Sequence, residues 1–250
     1  MMKKMWFSVL LVLTSASVFA LEARDLLNMK VPSDLERNQL LIQIQHRFYG
    51  TLNDPTMGMA NGANDGLGLR YPVLSRLEVN GNFVISREEF TLGGSYAYYL
   101  RPAFIRTQVD VQYFNFKDNL LPQRKGGFFG LLSFESEPIL KIFTPVVNLG
   151  YDGFNRKVGL GAGLAAQVKL DKPPFKSFGI IGEFFPVVEK DSMNTGLKNC
   201  FAVGLKFETW GHHFIFMVGN SSEIGTRYWM QGAPDNGLHL GFNINRMVDI

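Results

Sequence analysis

The chain has 250 residues with 25 Lys and Arg against 22 Asp and Glu, a formal charge of +3. So near a balance offers no basic stripe for nucleic acid, and no nucleic-acid partner is expected. The one cysteine, Cys200, excludes an intramolecular disulfide and reads as a small apolar filler rather than a nucleophile or metal ligand.

The first element is a secretory signal. Lys3 and Lys4 precede the apolar run Met5 to Leu13, and Val18 and Ala20 fit the small-residue pockets of a signal peptidase. The apolar run is far short of the roughly 20 residues that a membrane-crossing helix needs. The sequence thus divides into a cleaved signal over 1–20, a periplasmic N-terminal segment over 21–38 and a single domain over 39–250. No cysteine near the cleavage point offers a lipid anchor, and no later apolar stretch is of helix length. Any membrane crossing therefore falls to strands.

Strands are what the rest of the chain spells. Its 22 Phe, 8 Tyr and 26 Gly are a composition common in β structure. In Ile105-Arg106-Thr107-Gln108-Val109-Asp110-Val111-Gln112-Tyr113 the odd positions are largely apolar and the even positions polar. That is the period-two pattern of a wall with lipid on one side and a polar interior on the other. Repetition of the pattern places strands at 39–48, 64–71, 77–86, 89–100, 104–114, 127–136, 139–149, 157–170, 176–188, 199–209, 212–220 and 236–246.

The connections lead to the same fold. Those at 49–63, 115–126, 150–156, 189–198 and 221–235 are long, whereas 72–76, 101–103, 137–138, 171–175 and 210–211 are short; 87–88 is the exception. Long external loops alternating with short periplasmic turns is the asymmetry of outer-membrane barrels. Pro72, Pro102, Pro138, Pro173 and Pro174 fall in the short turns, where a missing N–H costs least. Pro145 and Pro186 fall inside strands and imply bulges, displaced boundaries or a lower strand count. The expected fold is all-β, a single antiparallel transmembrane barrel of about 12 strands, with 10 or 14 as alternatives. Gly159, Gly161 and Gly163 in one strand either ease curvature, the preferred reading, or make room for large residues in the lumen. Tyr96, Tyr98, Tyr99, Tyr113, Trp210 and Tyr228 are candidates for interfacial girdles.

His46-Arg47-Phe48-Tyr49-Gly50 resembles a motif in a family of predicted outer-membrane β-barrels found mainly in Bacteroidota. So do Gly66-Leu67-Gly68-Leu69-Arg70-Tyr71, Gly211-His212-His213-Phe214 through Gly219-Asn220-Ser221, and Gly241-Phe242-Asn243-Ile244-Asn245-Arg246. The resemblance implies an exported barrel and brings no catalytic residues with it. The last residues, Met247-Val248-Asp249-Ile250, depart from the terminal aromatic usual in outer-membrane barrels.

A search for chemistry finds no site. His46, His212, His213 and His239 lack metal-ligand spacing, and Ser133, Ser221 and Ser222 have no nucleophile-elbow context. No enzyme activity, catalytic residue, metal or cofactor is expected. The charges placed on the polar face are Arg47, Glu78, Arg106, Asp110, Lys169, Lys206 and Glu208. Their near balance favours internal pairing in a structural or occluded barrel. The alternatives are a narrow channel or transporter for small solutes, a soluble exported β-sheet binding protein, and a membrane phospholipid hydrolase. The partners expected are outer-membrane lipid, lipopolysaccharide and, during insertion, the barrel-assembly machinery. No solute or loop ligand is specified. Asp65 and Asp235 read as turn formers rather than calcium ligands.

Overall fold

The computed structural model describes residues 25–33, 35–100, 104–117, 123–188 and 196–250. The expected signal and its cleavage point, together with Pro102, lie outside them. Twelve strands form one closed antiparallel barrel in which each pairs with its sequence neighbours and β1 closes on β12. They are β1 (Gln39–Phe48), β2 (Ala63–Leu74), β3 (Leu77–Val84), β4 (Glu89–Leu100), β5 (Ile105–Lys117) and β6 (Arg124–Ser136), followed by β7 (Phe143–Asp152), β8 (Lys157–Lys172), β9 (Phe175–Phe185), β10 (Cys200–Glu208), β11 (His212–Gly219) and β12 (His239–Asp249). The closing ladder runs from Gln39 opposite Asp249 to Arg47 opposite Gly241.

The wall is polar inside and apolar outside. Ile44, Leu67, Leu92, Val109, Val111, Leu164, Ile180, Val203 and Phe216 are exposed, whereas Gln43, Gln45, Gln108, Ser133, Asn148, Asn243 and Asn245 are buried. Water would reverse this sorting, and a hydrocarbon surround accounts for it. Tyr96, Tyr98, Tyr113 and Trp210 are exposed, but Tyr228 is buried and so is no part of a girdle. Cys200 is free and fully buried.

Two prolines show how strand boundaries adjust. Pro186 falls just beyond β9, which ends at Phe185. Pro145 lies within β7 and pairs with Leu164 of β8, but the ladder between β7 and β6 begins only at Val146, so its missing N–H breaks no ladder on that side. Pro72, expected in a turn, sits in β2 at a register shift.

The loop asymmetry is weaker than the sequence suggests. The connections 85–88 and 153–156 are short, while 137–142 is extended by Leu140 and Lys141, both at positive φ. Asn38 accepts a hydrogen bond from Ile250 N–H, so the chain enters β1 at the end of the barrel that also holds the C-terminus and the turns 75–76 and 209–211.

Candidate functional site

Among the described residues, two segments of the chain fill the lumen. The first is the stretch before β1, which the sequence placed in the periplasm; residues 25–33 instead run inside the barrel. From Asn38 the chain passes back up the lumen. Ser33 donates its N–H to Gln108 Oε1 at 2.7 Å and its hydroxyl to Glu78 Oε2 at 2.6 Å. Further up, Asn148 both accepts from Lys30 N–H at 2.9 Å and donates to Lys30 C=O at 2.8 Å. The chain then reverses in a turn closed by Leu26 N–H to Met29 C=O at 3.0 Å, with an antiparallel bridge between Asp25 and Lys30.

The tip of this hairpin explains its burial. Leu26, Leu27 and Met29 are apolar and 0% exposed, which favours removal from water by roughly 1.5–3 kcal/mol for each side chain. The backbone beside them would be costly to bury unpaired, and two ionisable side chains of the wall resolve this. Glu183 of β9 accepts from the N–H groups of Leu27, Asn28 and Met29 at 2.7–3.0 Å, and from Asn28 Nδ2 at 3.2 Å. Arg47 of β1 donates to Asn28 Oδ1 at 3.0 Å and to Leu27 C=O at 3.3 Å. Asn243 of β12 adds a bond to Leu27 C=O at 2.9 Å, and Thr226 donates its hydroxyl to Asn28 C=O at 2.6 Å. Three successive N–H groups around one carboxylate form an anion nest, here closed on an acid from another part of the same chain.

The glycines of β8 and β10 supply the space. A Cβ at Gly163 would lie 2.6 Å from Leu26 Cδ1 and 2.8 Å from Met29 Sδ, and one at Gly204 would lie 2.5 Å from Leu27 Cδ2. At Gly159 it would lie 2.4 Å from Met230 Cβ, and at Gly161 2.8 Å from Phe185 Cε1. The preferred sequence reading, that these glycines only ease curvature, is corrected: large side chains occupy the room they leave.

The second segment is the connection between β11 and β12. It folds inward around a short helix, α1 (Thr226–Trp229), with Ile224, Trp229 and Met230 buried. The Trp229 and Phe185 rings lie 5.7 Å apart, which joins this segment to the same apolar cluster as Leu26, Leu27 and Met29. Arg227 Nη2 donates to Glu89 at 2.7 Å, and its Nη1 lies 3.4 Å from Asp152. Its guanidinium also sits 3.8 Å from the Phe114 ring centre and 4.2 Å from that of Tyr228. Burial opposes the charge on Arg227, but Glu89, Tyr228 and Asp152 together outweigh it and hold the pKa above the ordinary value. Burial likewise raises the Tyr228 phenol, whose hydroxyl donates to Glu89.

The charges marked in the sequence take several positions. Arg47 holds the hairpin. Glu78 pairs with Arg70 at 2.6 Å, and Arg70 reaches Asp25 at 3.3 Å. Arg106 pairs with Glu135, and Lys206 lies 2.6 Å from Glu208, with His213 Nε2 3.6 Å from the same carboxylate. Asp110 accepts from Asn80 at 3.1 Å. Lys169 is half-buried opposite Ser177. Sequence reasoning missed Arg70, Glu183, Glu135, Glu89 and Arg227. Arg70 and Glu183 carried a signal, as single charges at the inward parity of their strands.

Elsewhere, His46 lies 2.5 Å from Asp65, and His239 Nδ1 lies 3.1 Å from Gly50 C=O. Asp235 accepts from Gly237 N–H at 2.6 Å, a turn contact. Among the described residues no group of His, Cys, Asp and Glu is arranged to hold a metal. A polar cavity of about 70 Å³ persists beside the hairpin, against Gln43, Gln45, Asn80, Asn82, Thr91 and Gln112. The hairpin therefore packs dry on the glycine-rich wall and leaves a narrow polar space on the other.

Known proteins share this architecture. Residues 146–248 match a family described as Membrane bound beta barrel domain (DUF5777). An outer-membrane channel from Pseudomonas putida F1 superposes with a TM-score of 0.53 at 12% identity, covering 87% of this chain and 98% of that one. The chain is a membrane β-barrel. The translocator domain of the autotransporter NalP from Neisseria meningitidis is also similar, with a TM-score of 0.50 at 8% identity over 88% of this chain and 91% of that one. These identities make the likeness one of fold. No curated protein matches the sequence.

Proposed function

We propose that the protein is an exported outer-membrane barrel whose own chain holds its lumen closed, with a structural rather than a catalytic role. The observation that carries this reading is the seating of the hairpin tip between Glu183 and Arg47, where every backbone N–H from Leu27 to Lys30 has a partner on the wall. A segment in loose transit would leave such groups to water. In this reading the exposed strand faces meet lipid and lipopolysaccharide, and the barrel-assembly machinery inserts the chain.

The polar cavity beside the hairpin favours a second reading, a narrow channel for small solutes that opens when the hairpin withdraws toward the short-turn end. The Pseudomonas putida protein of similar fold is described as a channel. Planar-bilayer recording separates the two states. The intact mature barrel is expected to insert silently, and a variant lacking residues 25–33 is expected to give discrete, reproducible conductance steps. Steady conductance from the intact barrel would contradict a closed lumen. Silence from both proteins would assign closure to the segment around α1 instead.

A further inference from the structure

At the loop end of the barrel, above the closed lumen, lies a pocket of about 520 Å³. Its floor is the Tyr228 ring, with the Arg87 guanidinium 4.6 Å from the ring centre and Arg87 Nη2 2.6 Å from Glu223 Oε1. Phe116 and Phe154, packed edge to face with centroids 5.5 Å apart, form one wall, and Tyr49 stands on the rim. The Tyr49 and Phe154 rings are exposed.

Unmet hydrogen bonding accompanies these rings. Asn64 lines the pocket and is 1% exposed; its Nδ2 donates to Ser222 C=O at 3.2 Å, but its Oδ1 has no partner. Glu223 Oε2 and Ser86 Oγ, on two further lining residues, also have none. Two unmet acceptors and one hydroxyl call for a ligand rich in O–H donors.

Charge narrows the class. Among the described residues four cations line the pocket: Arg87 faces Glu223, Lys117 lies 3.0 Å from Glu88, Arg227 faces Glu89, and Lys125 stands beside them. An anion therefore finds Arg87, Lys117 and Arg227 already compensated, and a cation finds the one carboxylate described there, Glu223, already paired with Arg87. What fits is a neutral molecule with C–H faces for the rings and hydroxyls for the acceptors. The volume lies within the range of roughly 300–1,000 Å³ usual for small-molecule sites. We propose that this pocket binds a neutral mono- or disaccharide, stacked on Tyr49 or Phe154, with hydroxyls donating to Asn64 Oδ1 and Glu223 Oε2. The site lies outside the plugged lumen, so it stands whether or not the barrel conducts.

The test uses the full mature barrel in a micelle of detergent without a sugar headgroup, with maltose, lactose and diacetylchitobiose as probes and D-glucuronate as the anionic comparison. Saturation-transfer NMR and calorimetry are expected to show binding of at least one disaccharide. Phe154→Leu is expected to weaken it roughly tenfold, about what one stacked ring supplies. Asn64→Ala should weaken it comparably, while both variants keep the heat-dependent gel migration of a folded barrel. The proposal fails if none of the three disaccharides binds, if glucuronate binds more tightly than all of them, or if binding is unchanged in both variants.

Discussion

Glu183→Ala is expected to release the N-terminal hairpin while leaving the barrel closed as a sheet. The substitution strips the N–H groups of Leu27, Asn28 and Met29 of their acceptor in a place where water does not replace it. Each buried donor left unmet costs roughly 1–3 kcal/mol, so with three donors the seated hairpin loses on the order of 3–9 kcal/mol. The strand ladders involve none of these groups, and heat-dependent gel migration should persist. Lys30 then becomes a reporter, because it is held against Asn148 in the intact protein. Limited trypsin digestion at Lys30, followed by mass spectrometry, should be roughly a hundredfold faster in the variant, the equivalent of about 3 kcal/mol. Glu183→Gln retains one acceptor oxygen and should fall between. Arg47→Ala should act in the same direction, because it leaves Asn28 Oδ1 without that donor and removes the cation from beside the hairpin. Digestion at the same rate in all of these proteins would mean that the carboxylate and guanidinium do not hold the segment.

The second large effect is steric. Gly163→Leu places a branched side chain where Leu26 and Met29 already sit, with even its Cβ 2.6 Å from Leu26 Cδ1. Overpacking of this kind costs typically about 1–3 kcal/mol, and the hairpin, held by fewer bonds than a strand, is the part that gives way. Trypsin should reach Lys30 faster here too, and Leu26→Ala added to Gly163→Leu should restore much of the protection by vacating the same space. Gly182→Leu supplies the control, because a Cβ there meets nothing within 4 Å. Equal protection in the Gly163 and Gly182 variants would refute the fit between hairpin and wall.

Much of this wall was legible in the sequence, and most of what fills it was not. Alternation from Ile105 to Tyr113 reports burial directly, because a strand in lipid must sort its side chains by parity. Pro145 looked like an obstacle only because the sequence does not reveal where the β6 ladder stops. The glycines at 159, 161 and 163 announced vacant volume, but its occupants are Leu26, Met29, Phe185 and Met230, all distant in the chain. Leu26-Leu27-Asn28-Met29 is too short to show a period, and its partner Glu183 is 155 residues from Asn28. Tyr228 was misplaced for a related reason: an aromatic in a long loop carries no parity, and only Glu89, Arg227 and Arg87 draw it inward.

Amide hydrogen exchange at Leu27, Asn28 and Met29 tests lumen closure most directly. With their N–H groups bonded to Glu183 inside the barrel, these amides should exchange as slowly as those of the neighbouring strands, and Glu183→Ala should bring them close to the rate of an unstructured peptide. Exchange at the unstructured rate in the intact barrel would contradict the account, because it would place the hairpin in water.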